Sequence, residues 1–117
     1  MFASLEIHAP ELSEKTVLIY FNSECDHCRW EIKEVSNHIN DLSNIRLAFI
    51  SLESEGSAYY FLKSYGLEQY YLRVAPQNIM TTFSSGVPQI FIYEDGLLKK
   101  QFKGEVKWEV LQKVLDN

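Results

Sequence analysis

Only two cysteines occur in the 117 residues, and they stand three apart in the run Cys25-Asp26-His27-Cys28. Two intervening residues close too small a loop to staple a fold. The spacing therefore points to redox or metal chemistry rather than to a structural disulfide framework. A cysteine reacts as its thiolate, so the groups that favour or oppose a negative sulfur decide what the pair can do. His27, as a charge or a hydrogen-bond donor near Cys25, favours the thiolate; Glu24 and Asp26, which flank Cys25, oppose it. The expected balance is a Cys25 thiol more acidic than a free one, but less acidic than in the strongest dithiol oxidants. A metal site would need Cys25, Cys28 and His27 plus a further ligand. No second Cys-x-x-Cys is present, and His8 and His38 have no ligand spacing, so no metal is expected.

The elements around the pair sharpen this reading. Thr16 to Phe21 is a continuous apolar run suited to a strand buried on both faces. Asn22, Ser23 and Glu24 break it, and a helix is predicted from about Asp26 to Leu42, with Cys28, Ile32, Val35, Ile39 and Leu42 on one stripe. Cys25 then stands at the helix N-terminus, where free N–H groups and the positive end of the helix dipole favour a thiolate. Cys28 falls on the buried stripe. The asymmetry assigns attack to Cys25 and resolution of the mixed disulfide to Cys28.

Further along, Ser4 to His8 suits a short edge strand and Ile45 to Leu52 a second buried one. Ser57 is placed to cap a helix that runs to Tyr65, with Gly66 ending it. Tyr70 to Ala75 reads as a strand, and Pro76 opens a short helix to about Ser84. Gln89 to Tyr93 and Leu97 to Lys103 form a hairpin across Asp95-Gly96. After Gly104 comes a final helix with Val110, Leu111, Val114 and Leu115 inward. Strands joined by helices argue for an α/β domain over residues 1–117, a central mixed sheet with helices on both faces.

Composition narrows the function class. The net charge is −5 and no window concentrates lysine or arginine. Nucleic acid is therefore an unsuitable partner, since phosphate binding needs a basic footprint. No apolar run reaches the length of a membrane span, so no membrane insertion is expected. The first ten residues lack the pattern of a signal peptide. A cytoplasmic location is expected for the chain as it stands, or a periplasmic one if it is a trimmed form. A monomer is expected.

The ordered set of features resembles the thioredoxin superfamily from about Thr16 to Leu115. It comprises the Thr-Val-Leu-Ile-Tyr-Phe strand, the Cys25–Cys28 turn, Gly86-Val87-Pro88 before the next strand, and Asp95-Gly96 with Gly104 before the last helix. Cys28-Arg29-Trp30-Glu31 is similar to the TlpA/ResA-like branch. The resemblance implies thiol–disulfide exchange with protein or small-molecule thiols and a redox donor or acceptor protein, with no cofactor beyond the two cysteines. It implies that Pro88 is a cis-proline opposite Cys25, which leaves the Val87 backbone free to pair with an extended substrate. Glu31 matches the branch's acid, for proton exchange with Cys28 or tuning of the pair. A solvated first-turn glutamate is the plain alternative.

The chain also departs from the pattern. Glu24 replaces the usual aromatic residue before the first cysteine, and Ile19 stands where a buried acid or amide is common. The proline between the cysteines is absent, and Lys33 takes the place of the helix-kinking proline. Reduction or isomerisation of disulfides is the favoured reading. A disulfide-forming oxidase, suggested by His27 with Val87-Pro88, is the second. A redox-silent binding module that uses the Val87-Pro88 groove is the third. Trp30, off the apolar stripe, is expected partly exposed beside the site and able to contact substrate. The tyrosines at 59, 60, 65, 70 and 71 are expected to pack in or against the core, and Glu53 and Glu55 to lie in a solvated loop.

Overall fold

The computed structural model describes residues 15–42, 44–73 and 86–116. The apolar run predicted as a doubly buried strand forms β1, Lys15–Tyr20, at the middle of a sheet of order β2-β1-β3-β4. β1 pairs in parallel with β2, Ile45–Ile50, with Val17 opposite Leu47 and Ile19 opposite Phe49. It pairs antiparallel with β3, Gln89–Glu94, with Leu18 opposite Phe91. β4, Leu97–Lys103, closes the hairpin, with a register irregularity at Ile92/Tyr93. The hairpin turn places both Asp95 and Gly96 at positive φ, 55° and 81°, the geometry the Asp-Gly pair predicts.

The period-2 alternation of strand side chains splits the core in two. Val17, Ile19, Phe21, Phe49, Ile90 and Ile92 face one side, and Leu18, Tyr20, Ala48, Ile50, Phe91 and Tyr93 the other. All three described helices pack on the first side: α1, Asp26–Asn37; α2, Glu55–Lys63; and α3, Trp108–Leu115. The edge strand predicted at Ser4 to His8 and the helix predicted from Pro76 to Ser84 lie outside the described residues.

Several expectations change. The long helix after Cys28 is two elements: α1 stops at Asn37, and a 3-10 turn, Ile39–Leu42, carries the stripe on. Ser36-Asn37-His38 are weak helix formers, and the His38 ring instead stacks on Trp108 at 4.3 Å, tying α1 to α3. Ser54, not Ser57, caps α2, and its hydroxyl accepts the Ser57 N–H. Gly66 follows at φ 73°, the left-handed geometry that ends helices. Of the strand predicted from Tyr70 to Ala75, Tyr70 lies in a 3-10 turn, Glu68–Tyr70, and Tyr71 bridges to Phe49 in parallel, with the Leu72 N–H bonded to Phe49 O; positions 74 and 75 lie outside the described residues. In α3, Leu111 and Leu115 are buried as predicted. Val110 is 46% exposed, because the buried face of α3 runs through Trp108, Leu111 and Leu115, and Val110 lies more than half a turn from Trp108. Tyr65, Tyr70 and Tyr71 pack against the core, whereas Tyr60 is mainly in solvent.

Candidate functional site

The site forms where β1 ends and α1 begins, at the carboxyl end of a central strand. Phe21 N–H still bonds Ile50 O, so the chain leaves the sheet only at Asn22. There the Asn22 side chain accepts the Glu24 N–H at 2.8 Å and its carbonyl accepts the Cys25 N–H at 3.1 Å, an Asx-type turn. Cys25 is the N-cap of α1 in extended geometry. Its Sγ accepts the Cys28 N–H at 3.3 Å, in the role a serine or aspartate oxygen usually fills. The sulfur that could carry a negative charge thus already receives one free N–H of the helix terminus.

Both cysteines are thiols, in opposite environments. Cys25 is half-buried and lines a cleft of about 330 Å³ with Tyr20, Phe21, Asn22, Glu24, Leu52, Gly86 and Val87. Cys28 is fully buried in the core beside Ile32 and Val35. Burial pushes its thiol up to about 12. A hydrogen bond with Cys25, the charge Cys25 would carry when ionised, and the charge of Glu53 act the same way, against a lowering contribution from the Asn22 backbone. Tyr20, which borders the cleft, also holds its proton more tightly, through burial and then the proximity of Cys28.

Val87 and Pro88 are joined by a cis peptide bond. Val87 O lies 3.8 Å from Cys25 Sγ and accepts from the thiol, so the two loops face each other across the cleft. Pro88 is buried at the start of β3, and its carbonyl accepts the Gly104 N–H.

The sequence-predicted tuning residues separate. Glu24 is exposed and lines the cleft; Asp26 is exposed on the first turn of α1. His27 is 71% exposed, and its Nδ1 meets the carboxylate of Glu105, in the link between β4 and α3. Trp30 is 37% exposed, as expected for a residue off the stripe, but it is not among the described residues lining the cleft. Glu31 is no solvated first-turn acid: it is 1% exposed. Val106 N–H donates to its Oε1 at 2.5 Å. Burial raises its carboxyl to about 7, assisted by the charges of Glu105 and Glu34, with the Val106 bond pulling the other way. A buried acid thus stands on α1, while β1 carries Ile19.

Two contributors carried no recognisable signal in the sequence. Glu105 gave none because its link to His27 spans 78 residues. Glu53, expected in a solvated loop, is bound on three sides. Its carboxylate accepts the Ser23 N–H at 2.8 Å, the Ser23 hydroxyl at 2.5 Å and the Ser51 hydroxyl at 3.0 Å. Among the described residues no three of His, Cys, Asp and Glu gather as a metal would need, and no helix is long and apolar enough to cross a membrane.

No protein-family model matches the chain, and no curated protein matches it in sequence. Solved structures do match in fold. A candidate thioredoxin of Neisseria meningitidis superposes with TM-score 0.80 at 19% identity, over 94% of this chain and 78% of its own. StoA of Bacillus subtilis gives 0.75 at 19% identity, over 92% and 86%. A secreted disulfide oxidoreductase of Mycobacterium tuberculosis, homologous to DsbE of Escherichia coli, gives 0.76 at 15% identity, over 89% and 81%. The chain has an α/β thioredoxin fold, a mixed sheet with a cysteine pair at the first strand-to-helix turn.

Proposed function

We propose that the protein is a thiol–disulfide oxidoreductase in which Cys25 attacks a substrate disulfide and Cys28 resolves the mixed disulfide. One observation carries the reading: the two sulfurs share a hydrogen-bonded helix terminus, yet one opens to a cleft and the other is sealed in the core. The Cys25 thiolate displaces one sulfur of the substrate disulfide, and the leaving sulfur takes a proton. Cys28 then gives up its proton and attacks Cys25 Sγ. The second substrate thiol leaves, and Cys25 and Cys28 are oxidised by two electrons. The two cysteines suffice for this chemistry without a cofactor.

Glu31 suits the role of proton acceptor for the Cys28 step, since a carboxyl titrating near 7 can take a proton and return it at neutral pH. An extended substrate would pair with the backbone at Val87. Reduction or isomerisation of protein disulfides is the favoured direction, because Glu24 beside Cys25 opposes the very stable thiolate of a strong oxidant. Its partners are protein or small-molecule thiols and a donor protein that restores the dithiol. The Mycobacterium tuberculosis neighbour is described as secreted. A location outside the cytoplasm suits a protein that meets disulfides there.

Equilibration in a glutathione series tests the reading and its direction together. A potential near the roughly −270 mV of thioredoxin supports a reductant, and one near the roughly −120 mV of DsbA an oxidant. A pair that neither cycles with glutathione nor reduces insulin would leave a binding module that uses the Val87-Pro88 cleft.

A further inference from the structure

We propose that Glu53 is a positioning residue for the cysteine pair, fixing the turn before Cys25 through Ser23. The inference deepens the exchange reading above and rests on it.

Ser23 lies two residues before Cys25, in the turn where the chain leaves β1. Glu53 lies beyond the end of the parallel neighbour β2, so the sheet itself brings the two loops together. One carboxylate oxygen of Glu53 accepts the Ser23 main-chain N–H and the Ser51 hydroxyl, and the other accepts the Ser23 hydroxyl. The Ser51 hydroxyl also accepts the Glu53 N–H at 3.2 Å, which orders the glutamate's own backbone. From the opposite side Arg29 Nε, on α1, donates to the Ser23 carbonyl at 2.7 Å. Ser23 is thus held at its N–H by an anion from the β2 side and at its C=O by a cation from α1. Hydrogen bonds to charged groups are stronger than neutral ones.

That grip has a chemical consequence. Cys25 can receive the Cys28 N–H and face Val87 O only if the Asn22–Glu24 turn keeps its shape. Misplacing a reacting group by about 1 Å can cost up to about 100-fold in rate. The charge of the same carboxylate also acts, as the smallest of several causes, to keep the proton on Cys28. A neutral residue with the same hydrogen-bonding reach would position the turn without that charge.

The test compares wild type, Glu53→Gln, Glu53→Ala and Ser23→Ala. Each is read by amide hydrogen exchange at position 23, by the rate of exchange with glutathione disulfide per folded molecule, and by the pH midpoint of Cys28 ionisation. Glu53→Ala is expected to lose about tenfold in protection and about tenfold in rate. Glu53→Gln keeps an acceptor for the N–H and is expected to restore both, while its Cys28 midpoint falls. Ser23→Ala keeps the N–H contact and the charge, so it is expected to slow exchange only a fewfold with the midpoint unmoved. The inference is overturned if Glu53→Ala merely lowers the melting temperature and leaves protection and rate at wild-type values, or if Glu53→Gln behaves like Glu53→Ala. A wild-type pair inert to glutathione would instead overturn the exchange reading, and protection at position 23 would still report whether the clamp exists.

Discussion

The outer and inner sides of the first turns of α1 carry the same kinds of group and treat them differently. Outside stand Cys25, open to the cleft, and His27, in solvent and paired with Glu105. Inside stand Cys28 and Glu31, each at most 1% exposed. A thiol and an ionisable side chain are present on both sides. Three residues of helix are enough to move a sulfur from a solvated terminus to the core, where burial holds its proton to about 12. The difference shows that location relative to the helix end, more than residue identity, sets the environment of each sulfur.

The comparison breaks most visibly at the cysteines. Cys25→Ser is expected to reduce exchange to background, because no other described sulfur reaches the cleft. Cys28→Ser is expected to attack normally and then stall, accumulating a mixed disulfide at Cys25 that mass spectrometry reads directly. Capture of substrate by Cys28 in the Cys25→Ser variant would reverse the assigned roles.

Glu31 sharpens the contrast through pH. An acid whose carboxyl titrates near 7 when folded and near 4.5 when unfolded binds more protons in the native state between those values. Its contribution to stability is therefore complete below 4.5, declines as pH rises toward 7, and changes no further above. Each pH unit crossed inside that window costs about 1.4 kcal/mol, so the whole loss is on the order of 3 kcal/mol. Urea unfolding at a series of pH values should show this decline in wild type and a flatter profile in Glu31→Gln. Identical slopes in the two proteins would remove Glu31 from the account.

The smallest effect is expected on the outer side. Trp30 does not line the cleft among the described residues, so Trp30→Ala should change the rate of exchange with a small disulfide by no more than about twofold, the scale of a surface substitution. A larger loss confined to protein substrates would mark Trp30 as a docking contact.

Local pattern makes much of the fold legible. The apolar run of β1, the stripe containing Cys28 and the Asp-Gly hairpin each follow from spacing within a few residues, and each is present. The opposition of Pro88 to Cys25 came through the resemblance rather than through physics, and the cis bond and the Val87 contact agree with it. What escaped is non-local or competes with local propensity. Glu53 reads as a loop acid until the pairing of β1 with β2 brings Ser23 beside it. Glu31 is singled out by the resemblance alone, and its burial depends on the chain returning at Val106. Val110 fits an apolar face of α3 by period, but the face that is buried is centred on Trp108, Leu111 and Leu115, which leaves Val110 outward. At Tyr70 the start of the predicted strand belongs to the 3-10 turn Glu68–Tyr70, and pairing with β2 begins at the Tyr71 bridge.

The adjoining residues Glu105 and Val106 hold His27 and Glu31 from 78 and 75 positions downstream, and Val87 meets Cys25 from 62. During synthesis, both cysteines leave the ribosome well before any of these three. A half-made chain therefore carries the reactive pair without the carbonyl that faces it, the backbone N–H that seats the buried acid or the carboxylate that holds the histidine. The working site is a late product of translation, and it comes into being only when the hairpin and the last helix fold back onto a helix made much earlier.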